Sequence, residues 1–417
     1  MSAAEPGTRH TVVGWTLVLA AIAYLDRVCI STAAPAIRAE LGLSDAAMGL
    51  VFSAFTLAYA LFEIPSGWFA DRFGARLTLA RIVVWWSILT ATTGLARGFA
   101  SLLVVRFLFG IGEAGMFPAV ARAFGRWLPE RERGRAFGLV IMTGALGGAL
   151  TQPLVVALLA RTSWRVAFVL FGSVGVVWAA GWWRWFRDDP ADHAGVGADE
   201  LRLITAGRGT IERAGGVPWA LLARNRTLAS LCLMYGAGIY GWYFYLTWLP
   251  TYLLRARGFE LADVGWLAAL PLLAIAVGVF AGGWTSDRLA HRLGPRRGRR
   301  ATGLVGFPLA AAAVVAAVLT PRPVACAVLF AAAAGLAALG VAPAWAVAID
   351  VGGGHAGVVS GAMNMFGNLG GALSPVVIGF TLERLGSWQA PLLSVAVLYL
   401  VAAAAWLAID PAERLVP

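Results

Sequence analysis

The sequence predicts an all-α membrane protein of twelve transmembrane helices, arranged as two pseudo-symmetric six-helix bundles. Three observations indicate this fold. The 417-residue chain is 59% hydrophobic and only 13% charged, which is far from the composition of a soluble domain. Its apolar stretches are long enough to cross about 30 Å of hydrocarbon, and none alternates with the two-residue period of a membrane strand. Short motifs in the first half of the chain also recur in the second half.

Twelve apolar stretches define the predicted helices in order. They cover residues 11–36, 46–70, 77–97, 101–123, 136–160, 164–186, 227–254, 263–286, 301–320, 323–349, 356–382 and 388–409. A helix rises about 1.5 Å per residue, so each stretch reaches across a bilayer. We expect the first stretch to be a retained helix rather than a signal peptide, because it is long, contains charged residues and is followed at once by further spans.

The distribution of arginine predicts how the chain lies in the membrane. The net charge is +11, and all 33 basic residues are arginine. Most of them fall on cytoplasmic segments if both termini are cytoplasmic, which is the positive-inside pattern. The basic charge therefore indicates a multi-pass protein of a bacterial inner membrane, in contact with lipid, rather than a nucleic-acid-binding protein. The three cysteines lie in apolar spans and the four histidines in tails or loops, so we expect no metal and no cofactor.

One long polar stretch divides the chain into two halves. Residues 187–226 contain aspartates, a proline, several glycines and many arginines between apolar segments. We predict an N-terminal bundle over residues 1–186, a cytoplasmic linker over residues 187–226 and a C-terminal bundle over residues 227–417.

Two motifs recur at corresponding positions of these halves. Gly-x-x-x-Asp-Arg ends the second span at residues 67–72 and the eighth span at 283–288. Gly-Gly-Ala-Leu occurs at 147–150 in the fifth span and at 370–373 in the eleventh. A parallel repeat of six helices is a known transporter design, with the solute site between the repeats.

Charged residues deep inside the first and fourth predicted spans indicate a polar site in the membrane. Arg106 and Glu113 are seven residues apart in the fourth span, so their side chains share one helix face. A charge at the bilayer centre costs about 2.5–3.5 kcal/mol even on insertion scales, which indicates charged partners. Asp26 and Arg27 in the first span point about 100° apart and cannot share one partner. We therefore expect two cross-helix pairs, Asp26 with Arg106 and Arg27 with Glu113.

These motifs resemble those of a known family. The Gly-x-x-x-Asp-Arg-Phe-Gly-Ala-Arg run at 67–76 resembles the cytoplasmic signature loop of the major facilitator superfamily. Tyr-Leu-Asp-Arg at 24–27 and the segment 106–119 are similar to the anion:cation symporters within it, as are the segments 240–253 and 360–379. The resemblance covers essentially the whole chain and implies the major facilitator fold. The fifth span reads Gly-Ala-Leu-Gly-Gly-Ala-Leu-Thr-Gln-Pro, which does not fit the antiporter motif of many drug exporters.

The resemblance also implies roles for the buried charges. Asp26 and Glu113 would be the proton-coupling carboxylates, and Arg27 would anchor a carboxylate of the substrate. Protonation of a carboxylate frees its arginine, whose planar fork suits a bidentate anion. Arg106 belongs to the same site, either as a substrate contact or as a lock with Asp26. The alternative interpretation is that all four charges form structural salt bridges between the first and fourth spans.

Other residues are candidates from their chemistry and position. Aromatic and amide side chains suit hydroxyl-bearing or ring-bearing solutes, and those expected to contact substrate are Tyr59, Gln152, Tyr240, Trp345 and Asn364. The charged residues at the ends of the second and eighth spans are expected to form gates, namely Asp71, Arg72, Arg76, Asp287 and Arg288. Glu63 is either a third titratable carboxyl or a gate contact. The pairs Gly144-x-x-x-Gly148 and Gly367-x-x-x-Gly371 are expected to allow close helix packing.

The sequence therefore predicts a monomeric secondary active transporter, not an enzyme. We expect it to import a small organic anion, such as an aldonate, aldarate or hexuronate, by proton symport. An aromatic or short dicarboxylate is the alternative substrate. A proton-driven exporter of drugs or metabolites and a non-transporting membrane sensor are the alternative functions.

Overall fold

The computed structural model describes residues 7–205, 224–352 and 356–413, except for a few side chains within these ranges, that of Asp71 among them. In these ranges the chain is helical and contains no strand. The helices are α1 (Thr8–Leu41), α2 (Asp45–Thr93), α3 (Phe99–Glu113), α4 (Met116–Trp127), α5 (Glu130–Leu159), α6 (Trp164–Trp185), α7 (Ala198–Thr205), α8 (Arg226–Thr247), α9 (Leu249–Arg257), α10 (Leu261–Leu293), α11 (Pro295–Leu319), α12 (Pro323–Ala338), α13 (Val341–Gly352), α14 (Ala356–Leu385) and α15 (Gln389–Ala408). The predicted all-α fold is confirmed.

Most predicted spans correspond to one helix, and the exceptions are kinked or interrupted. α2 contains both the second and the third span. The fourth span is formed by α3 with α4, the seventh by α8 with α9, and the tenth by α12 with α13. Eleven segments of the described chain are long and apolar enough to cross a membrane. The remaining predicted span, the seventh, contains α8, whose tyrosines and glycines make it less apolar, although its 22 residues would extend about 33 Å.

The second and third spans meet at Gly74 within α2. This residue has φ 84° and ψ 166°, a conformation that glycine adopts more readily than other residues. The Asp188 carboxylate, from the segment after α6, accepts hydrogen bonds from the backbone N–H groups of Ala75 (2.6 Å) and Arg76 (3.1 Å). Asp188 thereby caps the start of the third span, where free N–H groups favour a negative charge.

The two halves of the chain meet along α2 and α14, which run antiparallel. Ser53 Oγ donates a hydrogen bond to the Ala372 carbonyl oxygen at 2.6 Å. One turn earlier in α2 the backbones nearly touch, because a Cβ added to Gly49 would lie 2.4 Å from the Pro375 carbonyl oxygen. We call this contact the α2–α14 seam, and the end of the molecule that contains residue 45 the Asp45 end.

The seam extends as far as Glu63 and Asn364 and then opens. Glu63 Oε1 accepts a hydrogen bond from Asn364 Nδ2 at 2.7 Å. Farther from the Asp45 end, a Cβ on Gly67 would meet only Pro118 of its own half, and a Cβ on Gly361 would meet nothing within 4 Å. The molecule is therefore closed along this seam at the Asp45 end, and we call the opposite end the open end.

The described part of the predicted linker packs against the first half. Glu200 of α7 accepts hydrogen bonds from the backbone N–H groups of Thr8 (3.1 Å) and Arg9 (3.0 Å), and it also pairs with the Arg9 side chain at 3.3 Å. The remainder of the predicted linker, residues 206–223, lies outside the described residues. The bundle boundaries at residues 186 and 227 stay a prediction.

Candidate functional site

The predicted pair of Arg27 with Glu113 is present in the structure. Arg27 of α1 donates a hydrogen bond from Nη2 to Oε1 of Glu113, the last residue of α3. The Glu113 side chain is fully buried, and the Arg27 side chain is 12% exposed. Among the described residues, Glu113 Oε2 and Arg27 Nε have no hydrogen-bond partner. The pair therefore retains one acceptor and one donor for a solute or a proton.

Aromatic rings surround the Arg27 guanidinium. Its Cζ lies 5.3 Å from the ring centre of Tyr24, 5.0 Å from that of Phe55 and 5.2 Å from that of Tyr59. Each ring face attracts the cation by about 0.5–2 kcal/mol. The rings hold the guanidinium in place without neutralising it, so its charge remains available to an anion. Tyr59 was a predicted substrate contact, whereas Tyr24 and Phe55 were not singled out from the sequence.

The Gly-x-x-x-Gly pairs make room for tyrosines of this region. A Cβ on Gly144 of α5 would lie 2.6 Å from Cε2 of Tyr24. In the second half, a Cβ on Gly371 of α14 would lie 2.5 Å from the ring of Tyr243 in α8. The prediction of close packing at these glycines is confirmed, and the residue that approaches is in each case a tyrosine next to the site.

The second predicted pair, Asp26 with Arg106, is not formed, and that prediction was wrong. Neither oxygen of Asp26 has a hydrogen-bond partner in the described chain, and Nε and Nη1 of Arg106 have none there either. The Arg106 guanidinium lies instead over two rings, 5.1 Å from the centre of Phe55 and 4.5 Å from that of Phe109. Stacking on these rings provides the buried cation with a favourable neighbour that the sequence analysis did not consider.

Asp26 is consequently an isolated carboxyl inside the first half. It is fully buried, with Arg106 and Glu113 within electrostatic reach. The nearby Thr90 hydroxyl is also buried, and it too lacks a hydrogen-bond partner within the part of the chain described. Gain or loss of a proton at such a position changes the energy of the protein strongly, because a buried charge without hydrogen bonds is costly.

Gln152 of α5 faces α1. Its Oε1 accepts a hydrogen bond from the Thr32 hydroxyl, and its Nε2 is buried with no partner in the described ranges. An amide donor that is buried and free is suited to an acceptor oxygen of a solute.

In the second half, Trp345 lies next to Tyr235, and the Tyr240 side chain points towards α15. Trp345 Nε1 donates a hydrogen bond to the Tyr235 hydroxyl at 3.0 Å. The Tyr240 hydroxyl lies 3.0 Å from a serine hydroxyl of α15, so this side chain ties two helices together. The Tyr240 hydroxyl is thus engaged within the second half, and its contact with the solute stays a prediction. Tyr243, one turn farther along α8, lies within electrostatic reach of Arg27 and is a further candidate.

Among the predicted gating residues, the three arginines make contacts within their own half in the described chain. Arg76 donates from Nε and Nη2 to a backbone carbonyl oxygen of α6, at 3.0 and 2.6 Å. Arg72 and Arg288 each lie over a tryptophan one turn earlier in the same helix. Asp287 is exposed, and the side chain of Asp71 lies outside the described part of the structure. All of them lie towards the open end, and their gating roles stay a prediction.

An ionic contact at the Asp45 end was missed by the sequence analysis. Asp45 accepts hydrogen bonds from Arg255 of α9 at 2.7 Å and pairs with Arg38 of α1 at 2.5 Å. Glu383 of α14 accepts a hydrogen bond from the Ala46 backbone N–H at 2.9 Å. Charges beside the ends of spans are common, and nothing in the sequence shows which of them meet across the halves. We call Asp45, Arg38 and Arg255 the Asp45 latch.

We expect Asp45→Asn to weaken closure at this end. The substitution removes the carboxylate that both arginines of the latch share, and partly exposed pairs each contribute about 0.2–1 kcal/mol. A cysteine at Thr56, a fully buried residue of α2, should then react roughly two- to tenfold faster with an impermeant maleimide applied at the Asp45 end, in a background without the native cysteines. Glu40→Gln, which breaks a pair with Arg165 inside one half, is the matched control. Equal acceleration by both variants would contradict a cross-half latch.

Known proteins are similar to this chain over most of its length. A sequence model of the Major Facilitator Superfamily matches residues 16–375. A probable sulfoacetate transporter of Cupriavidus necator is 39% identical over 412 residues, which cover 97% of this chain and 94% of that protein. A hexuronate transporter of Bacillus subtilis is 31% identical (91% of this chain, 89% of that protein), and a D-galactonate transporter of Escherichia coli is 30% identical (93% and 92%).

The solved structures agree on the fold. A bacterial homologue of the human lysosomal transporter Spinster, in an inward-facing and unoccupied conformation, matches with a TM-score of 0.78 over 97% of both chains. Its sequence is 22% identical to this chain, so the likeness concerns the fold alone.

Proposed function

The chain belongs to the Major Facilitator Superfamily and is a multi-pass membrane protein, and from this premise we propose that it imports a small organic anion together with protons. One observation carries the proposal. The Arg27 guanidinium is paired with the buried Glu113 and enclosed by three aromatic rings, yet both partners keep an unused polar atom within the described chain. Such a cation is prepared to exchange one anion for another.

The chemistry of the proposed substrate follows from this cation. A guanidinium offers a planar fork of donors that matches a carboxylate, and its aromatic cage favours a cation without supplying a competing charge. Sulfoacetate, hexuronate and galactonate, the solutes named for the relatives, all carry a carboxylate. The Tyr59 hydroxyl and the free Gln152 Nε2 are available to the rest of a polar solute, and Trp345, whose N–H is bonded to Tyr235, offers its ring.

Proton coupling follows from competition for Arg27. While Glu113 is ionised it occupies the guanidinium, and a substrate anion must displace it. A proton on Glu113 removes this competitor, so binding of the proton favours binding of the anion. Release of both on the other side of the membrane would return Glu113 to Arg27 and reset the site.

The α2–α14 seam supports an alternating-access cycle. We assign residues 1–186 and 227–417 to two bundles that rock about the site, with the Asp45 latch closed in the present state. The positive-inside distribution of arginine supports an orientation with the open end and both termini in the cytoplasm of a bacterial cell. We propose that the protein acts as a monomer in the inner membrane. In this state the site would release solute inward.

We expect purified protein in liposomes to accumulate organic acids and not neutral sugars. Radiolabelled sulfoacetate, D-galactonate and D-glucuronate would be offered with an acidic exterior, and D-galactose and D-glucose under the same conditions. At least one acid should enter about tenfold faster with the pH gradient than without it, because protonation frees Arg27. Uptake of a neutral hexose as fast as its acid, or movement of the acids only outward, would contradict the proposal.

A further inference from the structure

Glu63 occupies a special position among the carboxyl groups of the central region. Asp26 and Glu113 are fully buried, whereas Glu63 is partly exposed. It lies in α2 at the point where the α2–α14 seam ends and the helices part towards the open end. It is also within electrostatic reach of Arg27. Glu63 therefore stands between the buried charges and the solvent of the open end.

The hydrogen-bond partner of Glu63 can serve both of its protonation states. Asn364 donates from Nδ2 to Oε1 of Glu63 at 2.7 Å, which suits an ionised carboxylate. The same amide carries an acceptor oxygen, so a half-turn of its terminal group would accept a bond from a protonated carboxyl. The bond joining the two halves can thus persist while a proton arrives or leaves.

The other polar groups around Glu63 leave its charge free to change. In the described chain, the charged or titratable groups within its electrostatic reach are Arg27 of α1, Tyr59 of its own helix and Tyr235 of α8. Arg27 is already paired with Glu113. Glu63 thus has no salt bridge of its own within the described chain.

The inventory of buried charge shows what Glu63 adds. Three carboxyls, Asp26, Glu63 and Glu113, share this region with two arginines, Arg27 and Arg106. With every group ionised the region carries one excess negative charge, which disfavours an anion in a low-dielectric site. Neutralising a bound anion therefore takes one more proton than the same site would need without Glu63.

We propose that Glu63 is a third proton-carrying carboxyl of the transport cycle, which releases its proton to water at the open end while Asn364 keeps it tied to the second half. The proposal rests on the proton-coupled anion import proposed above and adds one proton to the number transported with each anion. In the release step the O–H bond of the Glu63 carboxyl breaks, the proton passes to water, and the carboxylate accepts the Asn364 N–H.

The test is the number of protons moved per anion by the native protein and by Glu63→Gln. Glutamine keeps the contact with Asn364 but cannot carry a proton. Liposomes holding either protein would be given a one-unit pH gradient at zero membrane potential, with whichever of sulfoacetate, D-galactonate or D-glucuronate the native protein accumulates. The equilibrium accumulation should fall about tenfold in the variant, because each coupled proton contributes one factor of ten per pH unit. Glu40→Gln, an exposed carboxyl paired with Arg165, should accumulate as the native protein does.

A second measurement applies if the Glu63→Gln variant binds the anion but does not transport it. Calorimetry in detergent, repeated in buffers of different ionisation enthalpy, counts the protons taken up when the anion binds. The count should be lower in Glu63→Gln than in the native protein. Identical accumulation, or identical proton counts, would overturn the role of Glu63. Absence of any proton-driven accumulation by the native protein would instead overturn the proposed function.

Discussion

Arg27→Gln should lose affinity for the transported anion by roughly 30- to 5000-fold and abolish uptake at physiological concentrations. Loss of one member of a buried, hydrogen-bonded charge pair costs about 2–5 kcal/mol, which corresponds to that range. The anion would lose the cation that Tyr24, Phe55 and Tyr59 surround, and Glu113 would lose its partner. Binding calorimetry in detergent, with the anion identified by the uptake screen, measures the effect directly.

Two further variants separate the role of Arg27 in anchoring the anion from a general disturbance of the protein. Arg27→Lys keeps the charge but loses the planar fork and the stacking on the rings of Tyr24, Phe55 and Tyr59, so we expect an intermediate loss of about tenfold. Arg165→Gln removes an arginine that is 32% exposed and pairs with Glu40 at the surface. It should bind the anion normally. An Arg27→Gln protein that binds within about threefold of the native protein would show that the anion is anchored elsewhere.

Glu113→Gln should separate exchange from accumulation. Glutamine can still accept a hydrogen bond from Arg27, so the site should keep its shape. It carries neither the charge that competes with the anion nor a proton. We therefore expect counterflow of labelled against unlabelled anion to remain within several-fold of the native rate, while accumulation driven by a one-unit pH gradient falls at least about tenfold, because one coupled proton is lost.

The matched control for this second prediction is Glu132→Gln. Glu132 also pairs with an arginine of α1, Arg9, but at a partly exposed position away from the site. Its replacement should leave both counterflow and accumulation intact. If Glu113→Gln liposomes concentrate the anion as strongly as the native protein does, Glu113 carries none of the protons that drive transport.

The sequence was sufficient for the fold and for one of the two charge pairs. Apolar stretches long enough to span a bilayer can hardly be anything but helices, and a charge inside one of them requires a partner. The first and fourth spans together offered few charges, so Arg27 and Glu113 could be matched. The partners of Arg106 could not be predicted, because its guanidinium lies over the rings of Phe55 and Phe109 and not beside a carboxylate. Phe109 follows Arg106 by three residues in the same helix, but the position of the Phe55 ring, from α2, is set by packing and leaves no signal in a single sequence.

The choice among the tyrosines of α8 shows the same limit. Tyr240 lies about 140° around the helix from Tyr235, so the two cannot face one solute. The sequence shows this separation but does not show which side of α8 faces the other half. That rotation is decided where Gly371 admits the ring of Tyr243. Likewise, Asp45 and Arg255 are far apart in sequence, and only the three-dimensional fold brings them together.

The α2–α14 seam bears on how the solute that such a protein transports can change during evolution. Near Gly49 and Ser53 the halves meet through main-chain atoms, with the Pro375 and Ala372 carbonyl oxygens as the contact points. In the proposed function, selectivity would reside in the side chains around Arg27, which lie on different surfaces. Mutations that adapt the proposed site to a new solute therefore need not alter the α2–α14 seam. A lineage can sample acids of different size while keeping an intact mechanical cycle, which makes this architecture easy to repurpose.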